Sequence, residues 1–252
     1  MALTQLDRTV SVRGLTLHYR ETGVGALPIV ALHGHPATAA TWDAVAGAIC
    51  AAGDEARHGT GSGYRVLALT QRGHGRSSHA GSYAFEDFAA DVFGFADAVG
   101  LDSFVLLGHS MGGTVASLAA AAATGSDSTR LLGLILEDSV LPRFPPSAPR
   151  PPVVRERPEG ELPYDWDVVS AIASQFADPN PDWWASLGRI RCPTLIVAGG
   201  STSHVPQDLL ADAAAAIPDA RLVTIEGAGH TVHRTKPDRF VAEVAAYLRS
   251  LA

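Results

Sequence analysis

The chain has 252 residues, of which 46% are hydrophobic and 18% charged, with a formal net charge of -7. That composition suits one large folded domain with a sizeable core. The acidic balance and the absence of any basic run exclude nucleic acid as the main partner, because phosphate binding needs clustered Lys and Arg.

Residues 9–12 and 15–19 alternate apolar and polar side chains around Gly14, which predicts an antiparallel hairpin at a sheet edge. Residues 27–32 form an apolar run ending in His33-Gly34-His35-Pro36, the pattern of a buried strand followed by a loop. A helix is predicted over 42–52, and the Gly-rich polar stretch 53–63 reads as a surface insertion. Residues 66–69 form the next strand, ending in Gln71-Arg72-Gly73-His74-Gly75. Phe85, Phe88, Ala89, Val92, Phe93, Ala96 and Val99 recur at helical spacing. Strands follow at 104–107, 131–136, 195–198 and 222–225, with helices at 110–123 and 237–251. Strands alternating with helices predict an α/β fold with a mostly parallel sheet covered on both faces.

One stretch breaks this rhythm. Residues 141–187 begin with a proline-dense half, from Pro142 to Pro163, and continue with Trp166, Phe176, Trp183 and Trp184. A disordered linker is the bland alternative, but the aromatic residues favour a partly irregular cap. The expected organisation is a core of 1–140 and 188–252 with the 141–187 cap inserted.

Two distant cysteines, Cys50 and Cys192, do not make a disulfide framework. The first seven residues lack a basic region followed by an apolar stretch, so no secretory signal is expected. The apolar stretch 115–123 is too short to cross a bilayer. A cytoplasmic protein with no membrane partner is expected. Nothing in the sequence sets its oligomeric state.

Gly108-x-Ser110-x-Gly112 follows an apolar strand and opens a helix of small residues. That context turns a weak motif into a strong one, a tight strand-to-helix turn presenting Ser110 as a nucleophile above a helix amino terminus. Gly-His-Ser-Met-Gly-Gly, together with His33-Gly34-His35-Pro36, Arg72-Gly73-His74-Gly75-Arg76-Ser77 and Gly227-Ala228-Gly229-His230, resembles the α/β-hydrolase superfamily, in its serine-nucleophile branch of esterases and lactonases. The resemblance covers nearly the whole chain apart from the cap. It implies a central sheet of about eight strands with helices on both faces and a small cap after the sixth strand.

A tetrahedral intermediate needs two N–H donors. Met111, the residue after the nucleophile, offers one backbone N–H, and the resemblance assigns the second to His35. His33-x-His35 could suggest a metal pair, but no third ligand is recognisable, so neither metal nor cofactor is expected. The general base implied by the resemblance is His230, with His233 as a local rival. His33, His74 and His109 are expected to bond backbone near strand ends.

The chain departs from the family pattern at the acid. Most members place an Asp in a Gly-x-x-Asp-x-x-x-Pro loop after the seventh strand. Here that loop reads Gly199-Gly200-Ser201-Thr202-Ser203-His204-Val205-Pro206, with Thr202 at the acid's position and no carboxylate before Asp208. Other members carry the acid after the sixth strand, where this chain has Glu137-Asp138. Adjacent strand residues point to opposite faces, so one of the two faces His230. The family register favours Asp138, with Glu137 as the alternative. Thr202, Ser203 and His204 then bond around His230, contact substrate or only shape the loop.

The expected activity is hydrolysis of a carboxylic ester, lactone or related acyl bond of a small molecule through an acyl-enzyme. Ser110, Asp138 and His230 would be catalytic, and Trp166, Trp183, Trp184 and His204 would line the substrate pocket. The alternatives are C–C bond hydrolysis, acyl transfer or cofactor-free perhydrolysis on the same residues. From another class, a non-catalytic ligand-binding protein remains.

Overall fold

A computed structural model of the chain describes residues 5–56, 63–139, 141–143 and 156–251. The alternating segments around Gly14 form the hairpin β1 (Gln5–Val12) and β2 (Leu15–Thr22). Its two turn residues, Arg13 and Gly14, both take positive φ, 50° and 83°. That geometry matches the twist of paired strands.

The remaining strands are β3 (Leu27–Leu32), β4 (Tyr64–Leu69), β5 (Phe104–His109), β6 (Leu131–Glu137), β7 (Thr194–Ala198) and β8 (Ala220–Thr224). Among the described residues they join the hairpin in one eight-stranded sheet of order β1-β2-β4-β3-β5-β6-β7-β8. The pairings from β4 and β3 through β8 are parallel, while β2 meets β4 antiparallel. The helices are α1 (Asp43–Ala56), α2 (Phe85–Ala98), α3 (Met111–Ala122), α4 (Ser126–Arg130), α5 (Trp166–Ala177), α6 (Asp182–Ser186), α7 (Gln207–Ala216), α8 (Val232–Thr235) and α9 (Pro237–Ser250).

The central strands are buried on both faces, which is why they read as continuous apolar runs. In β3, Ile29 and Ala31 join a core with Val45 of α1 and Val244 of α9. Val30 and Leu32 point the other way, into a core with Phe88 of α2 and Val115 of α3. Each large apolar side chain removed from water in these layers contributes about 1.5–3 kcal/mol. In α2 the buried stripe includes Phe95, while Phe93 is only partly buried against the same core.

The expected surface insertion over 53–63 needs correcting. Residues 53–56 continue α1, and 57–62 lie outside the described residues. Gly53 serves packing instead of a break: a Cβ there would lie 2.7 Å from Cδ2 of Tyr64.

Between β6 and β7 the described residues hold α5 and α6. The proline-dense part, 144–155, lies outside the described residues. Pro163 and Asp165 pair with the turn after β4, through Gly75 N–H to the Pro163 carbonyl (2.7 Å) and Asp165 N–H to the Gly73 carbonyl (2.7 Å). Tyr83 Oη donates to Asp165 in support, at 2.6 Å.

The loops after β3, β4, β5, β6, β7 and β8 all leave the carboxyl ends of parallel strands. That edge is where open α/β sheets place their ligands, and where Ser110, Asp138 and His230 meet.

Candidate active site

The turn that carries Ser110 is possible only with glycine on both sides. A Cβ on Gly108 would sit 2.3 Å from the Gly112 carbonyl oxygen, and one on Gly112 would sit 2.4 Å from that of Leu32. Ser110 has φ 53° and ψ -122°, a backbone conformation that side-chain-bearing residues rarely adopt. It is held by an N–H donation to the Glu137 carbonyl (3.2 Å) and by Gly113 and Thr114 donating to its own carbonyl. The strained turn lifts Oγ off the end of β5 toward the loop after β8.

There, His230 Nε2 lies 2.9 Å from Ser110 Oγ, and His230 Nδ1 lies 2.8 Å from Asp138 Oδ2. A carboxylate only accepts, so Nδ1–H donates to Asp138 and Nε2 is left to accept from the serine hydroxyl. Asp138 is fully buried. It also receives Gly199 N–H (2.9 Å), the Ser203 hydroxyl and Gln207 Nε2 (3.4 Å). Burial pushes its carboxyl up, but the donations from His230, Ser203, Gly199 and Gln207 outweigh this and hold it below the ordinary value.

Adjacent side chains at the end of β6 point in opposite directions, which separates Glu137 from Asp138. Asp138 meets His230, while Glu137 meets His233 at 2.8 Å. Asp208 is exposed on α7 and caps the N–H of Leu209.

His204 lies with its ring centroid 4.2 Å from that of His230, so the loop lacking an aspartate still borders His230. The loop after β3 closes on the other side, where a Cβ on Gly34 would sit 2.8 Å from Ser110 Cβ. Met111 is the first residue of α3, and first-turn N–H groups have no partner within their helix.

Three further histidines bond backbone. His33 accepts Gln71 N–H and lies 3.0 Å from the Gly34 carbonyl. His74 Nδ1 donates to the Arg72 carbonyl (2.9 Å), so its Nε2 accepts from His35 Nδ1 at 3.0 Å. Burial holds His74 neutral, down to about 4. His109 Nε2 donates to the His230 carbonyl at 2.8 Å.

Trp183 falls elsewhere. It is buried against Phe85, donates Nε1 to Glu86 (2.9 Å), and borders a cavity of about 390 Å³ with Leu118, Ala119 and Ala122. Those residues lie in the last turns of α3, roughly 12 Å along the helix from Ser110. Trp183 therefore corrects the sequence expectation. It packs the base of the β6–β7 segment because its large apolar face finds cover between α2 and α3. Trp184 lies under the Arg143 guanidinium, 4.1 Å from its ring centroid, and Trp166 is half-buried at the start of α5. Tyr164 was missed. Its ring lies 4.9 Å from His35, held there by the pairing with the 73–75 turn. The only sequence signal was an aromatic residue between Pro163 and Asp165.

Residues 29–243 match the family model described as the alpha/beta hydrolase family. The chain belongs to the alpha/beta hydrolase family. It is 27% identical to a non-heme chloroperoxidase of Streptomyces lividans, over 94% of this chain and 97% of that one. It is 25% identical to an sn-1-specific diacylglycerol lipase of Mus musculus, over 74% and 72%. Among solved structures, a thermophilic esterase from Thermogutta terrifontis is similar at 26% identity with a TM-score of 0.76, over 98% of this chain and 99% of that one. Among the described residues no helix is long and apolar enough to cross a membrane, and no group of three or more His, Cys, Asp and Glu side chains could hold a metal ion.

Proposed function

We propose that this alpha/beta hydrolase is a serine hydrolase that cleaves a carboxylic ester, lactone or related acyl bond of a small molecule. The observation that carries the reading is the unbroken line Ser110 Oγ, His230 Nε2, His230 Nδ1, Asp138 Oδ2, with links of 2.9 and 2.8 Å. Ser110 Oγ attacks the acyl carbon as His230 takes its proton. Asp138 holds the imidazole in the tautomer that can accept it and stabilises the imidazolium. The backbone N–H groups of Met111 and His35 receive the oxyanion. The tetrahedral intermediate collapses, the leaving oxygen takes the proton from His230, and Ser110 is left acylated. Water then attacks the ester carbon, gives a proton to His230, and releases the acid and Ser110.

The likeness to the Streptomyces lividans chloroperoxidase supports a second reading on the same groups. Hydrogen peroxide then replaces water as acyl acceptor, and a peracid leaves. The described residues 156–187 would border the site, with Tyr164 as an aromatic wall beside His35 and His204 as an imidazole wall beside His230.

The test is turnover of short-chain p-nitrophenyl esters by wild type and Ser110→Ala, with and without peroxide, alongside labelling by a fluorophosphonate. Ser110-dependent turnover and labelling are expected. Neither turnover nor labelling at Ser110 overturns the reading.

A further inference from the structure

The strand ends that carry Ser110 and Asp138 each supply a second residue to the loop that carries His230. His109, just before Ser110, donates Nε2–H to the His230 carbonyl at 2.8 Å. Glu137, just before Asp138, takes His233 N–H at 2.8 Å and lies 2.8–2.9 Å from His233 Nδ1 through both carboxylate oxygens. Glu137 and His233 are both fully buried. The far side of the His233 ring is fixed as well, with Nε2 2.9 Å from Thr41 Oγ1 and the ring centroid 4.5 Å from that of Trp42. With Nδ1–H given to the carboxylate, Nε2 is the ring nitrogen that meets the Thr41 hydroxyl.

We propose that Glu137, acting through His233, is a positioning residue for His230. This rests on the acyl-transfer reading above. His230 follows Gly227 and Gly229, both at positive φ (70° and 68°), so the loop backbone is intrinsically permissive. Gly229 N–H to the Gly199 carbonyl (2.9 Å) anchors the entry to His230. Glu137 anchors the exit, three residues on. The same residue receives Ser110 N–H on its carbonyl, so one position spaces the nucleophile's backbone from the base's loop. A shift of about 1 Å between nucleophile and base can cost about 10²-fold in rate. The Glu137 carboxylate bonds His233, while the His230 imidazole bonds Asp138 and Ser110.

The experiment measures kcat and KM on p-nitrophenyl acetate per active site titrated with a fluorophosphonate, for wild type, Glu137→Ala and Glu137→Gln. Glu137→Ala is expected to lose about 10²-fold in kcat per titrated site, with KM within about threefold. Glu137→Gln is expected to recover to within about tenfold of wild type. Its amide can accept His233 N–H and donate to Nδ1, with His233 switching tautomer and donating to Thr41. A purely structural carboxylate would lower the titratable fraction and leave kcat per site unchanged. The proposal is overturned by a folded Glu137→Ala with kcat per site within about threefold of wild type, or by Glu137→Gln as impaired as Glu137→Ala. Should Glu137→Ala not fold, Glu137→Asp replaces it. A loss of about tenfold per site supports the clamp, and a wild-type value overturns it. Wild type without Ser110-dependent turnover would count against the serine-hydrolase reading. Normal wild-type turnover with unaffected Glu137 variants counts against the clamp alone.

Discussion

Ser203 donates its hydroxyl to Oδ2 of Asp138, the same oxygen that receives Nδ1–H of His230. The loop after β7 thus carries no carboxylate of its own from Gly199 to Pro206 and instead holds Asp138 at the end of β6. Gly199 N–H and Gln207 Nε2 complete the hold on Oδ1. These four donors hold the buried carboxylate below its ordinary value.

Ser203→Ala removes one donor from this charged group, a bond of a type worth about 1.5–3 kcal/mol. We expect kcat to fall by about tenfold on p-nitrophenyl acetate. Thr202→Ala, at an exposed neighbouring side chain, should stay within about twofold. Equal effects of the two would remove Ser203 from the argument.

Asp138→Asn should lose far more, on the order of 10⁴-fold in kcat, because the wrong imidazole tautomer is then favoured. Asp208→Asn should behave as wild type, since Asp208 only caps the exposed start of α7. Steady-state kinetics of the two proteins decide the matter, with circular dichroism to establish that both are folded. A crippled Asp208→Asn would move the acid to α7.

Stability should fall steadily below pH 7. Burial holds His33, His74 and His109 below the ordinary histidine value of 6.5, His74 at about 4. Between the folded and ordinary values the unfolded chain binds the extra proton, so stability decreases as pH drops. Each such histidine steepens the slope by up to about 1.4 kcal/mol per pH unit. Glu137 and Asp138, held below the ordinary carboxylate values, contribute stability present above those values and lost only at lower pH. Urea midpoints at pH 7.5 and pH 5 test this, and equal midpoints would contradict it.

Two glycines should respond with opposite sign. Gly112→Ala drives a Cβ to 2.4 Å from the Leu32 carbonyl, a backbone atom that cannot step aside, and should cost about 3 kcal/mol or more. Gly47, inside α1, has nothing within 4 Å of its missing Cβ. Gly47→Ala should therefore stabilise by about 0.5–1 kcal/mol. Thermal unfolding of both variants reads the difference.

Much of the architecture was legible locally. Strand runs such as 27–32 and 104–107, the helix spacing from Phe85 to Ala96 and the glycines around Ser110 are short-range patterns. They follow from side-chain period and backbone sterics between neighbours, so the sequence sufficed for the fold class and for the tight strand-to-helix turn at Ser110. Gly53 misled because a glycine needed for close approach to Tyr64 looks, in sequence, like one that ends a helix.

Other features depended on residues far apart in the chain. Asp138 meets Gly199 across 61 positions, His230 across 92, and His230 meets Ser110 across 120. No local period encodes which of two adjacent carboxylates faces which histidine, or that Ser203 bonds the acid. Those outcomes follow from strand register and from how far the loop after β8 reaches across the sheet edge. The same holds for Trp183, whose aromatic character marked it for a pocket near Ser110. The packing of α6 against α2 and α3 carried it to the other end of α3, because burial of a large apolar face depends on which helices meet and leaves no trace in the neighbouring residues.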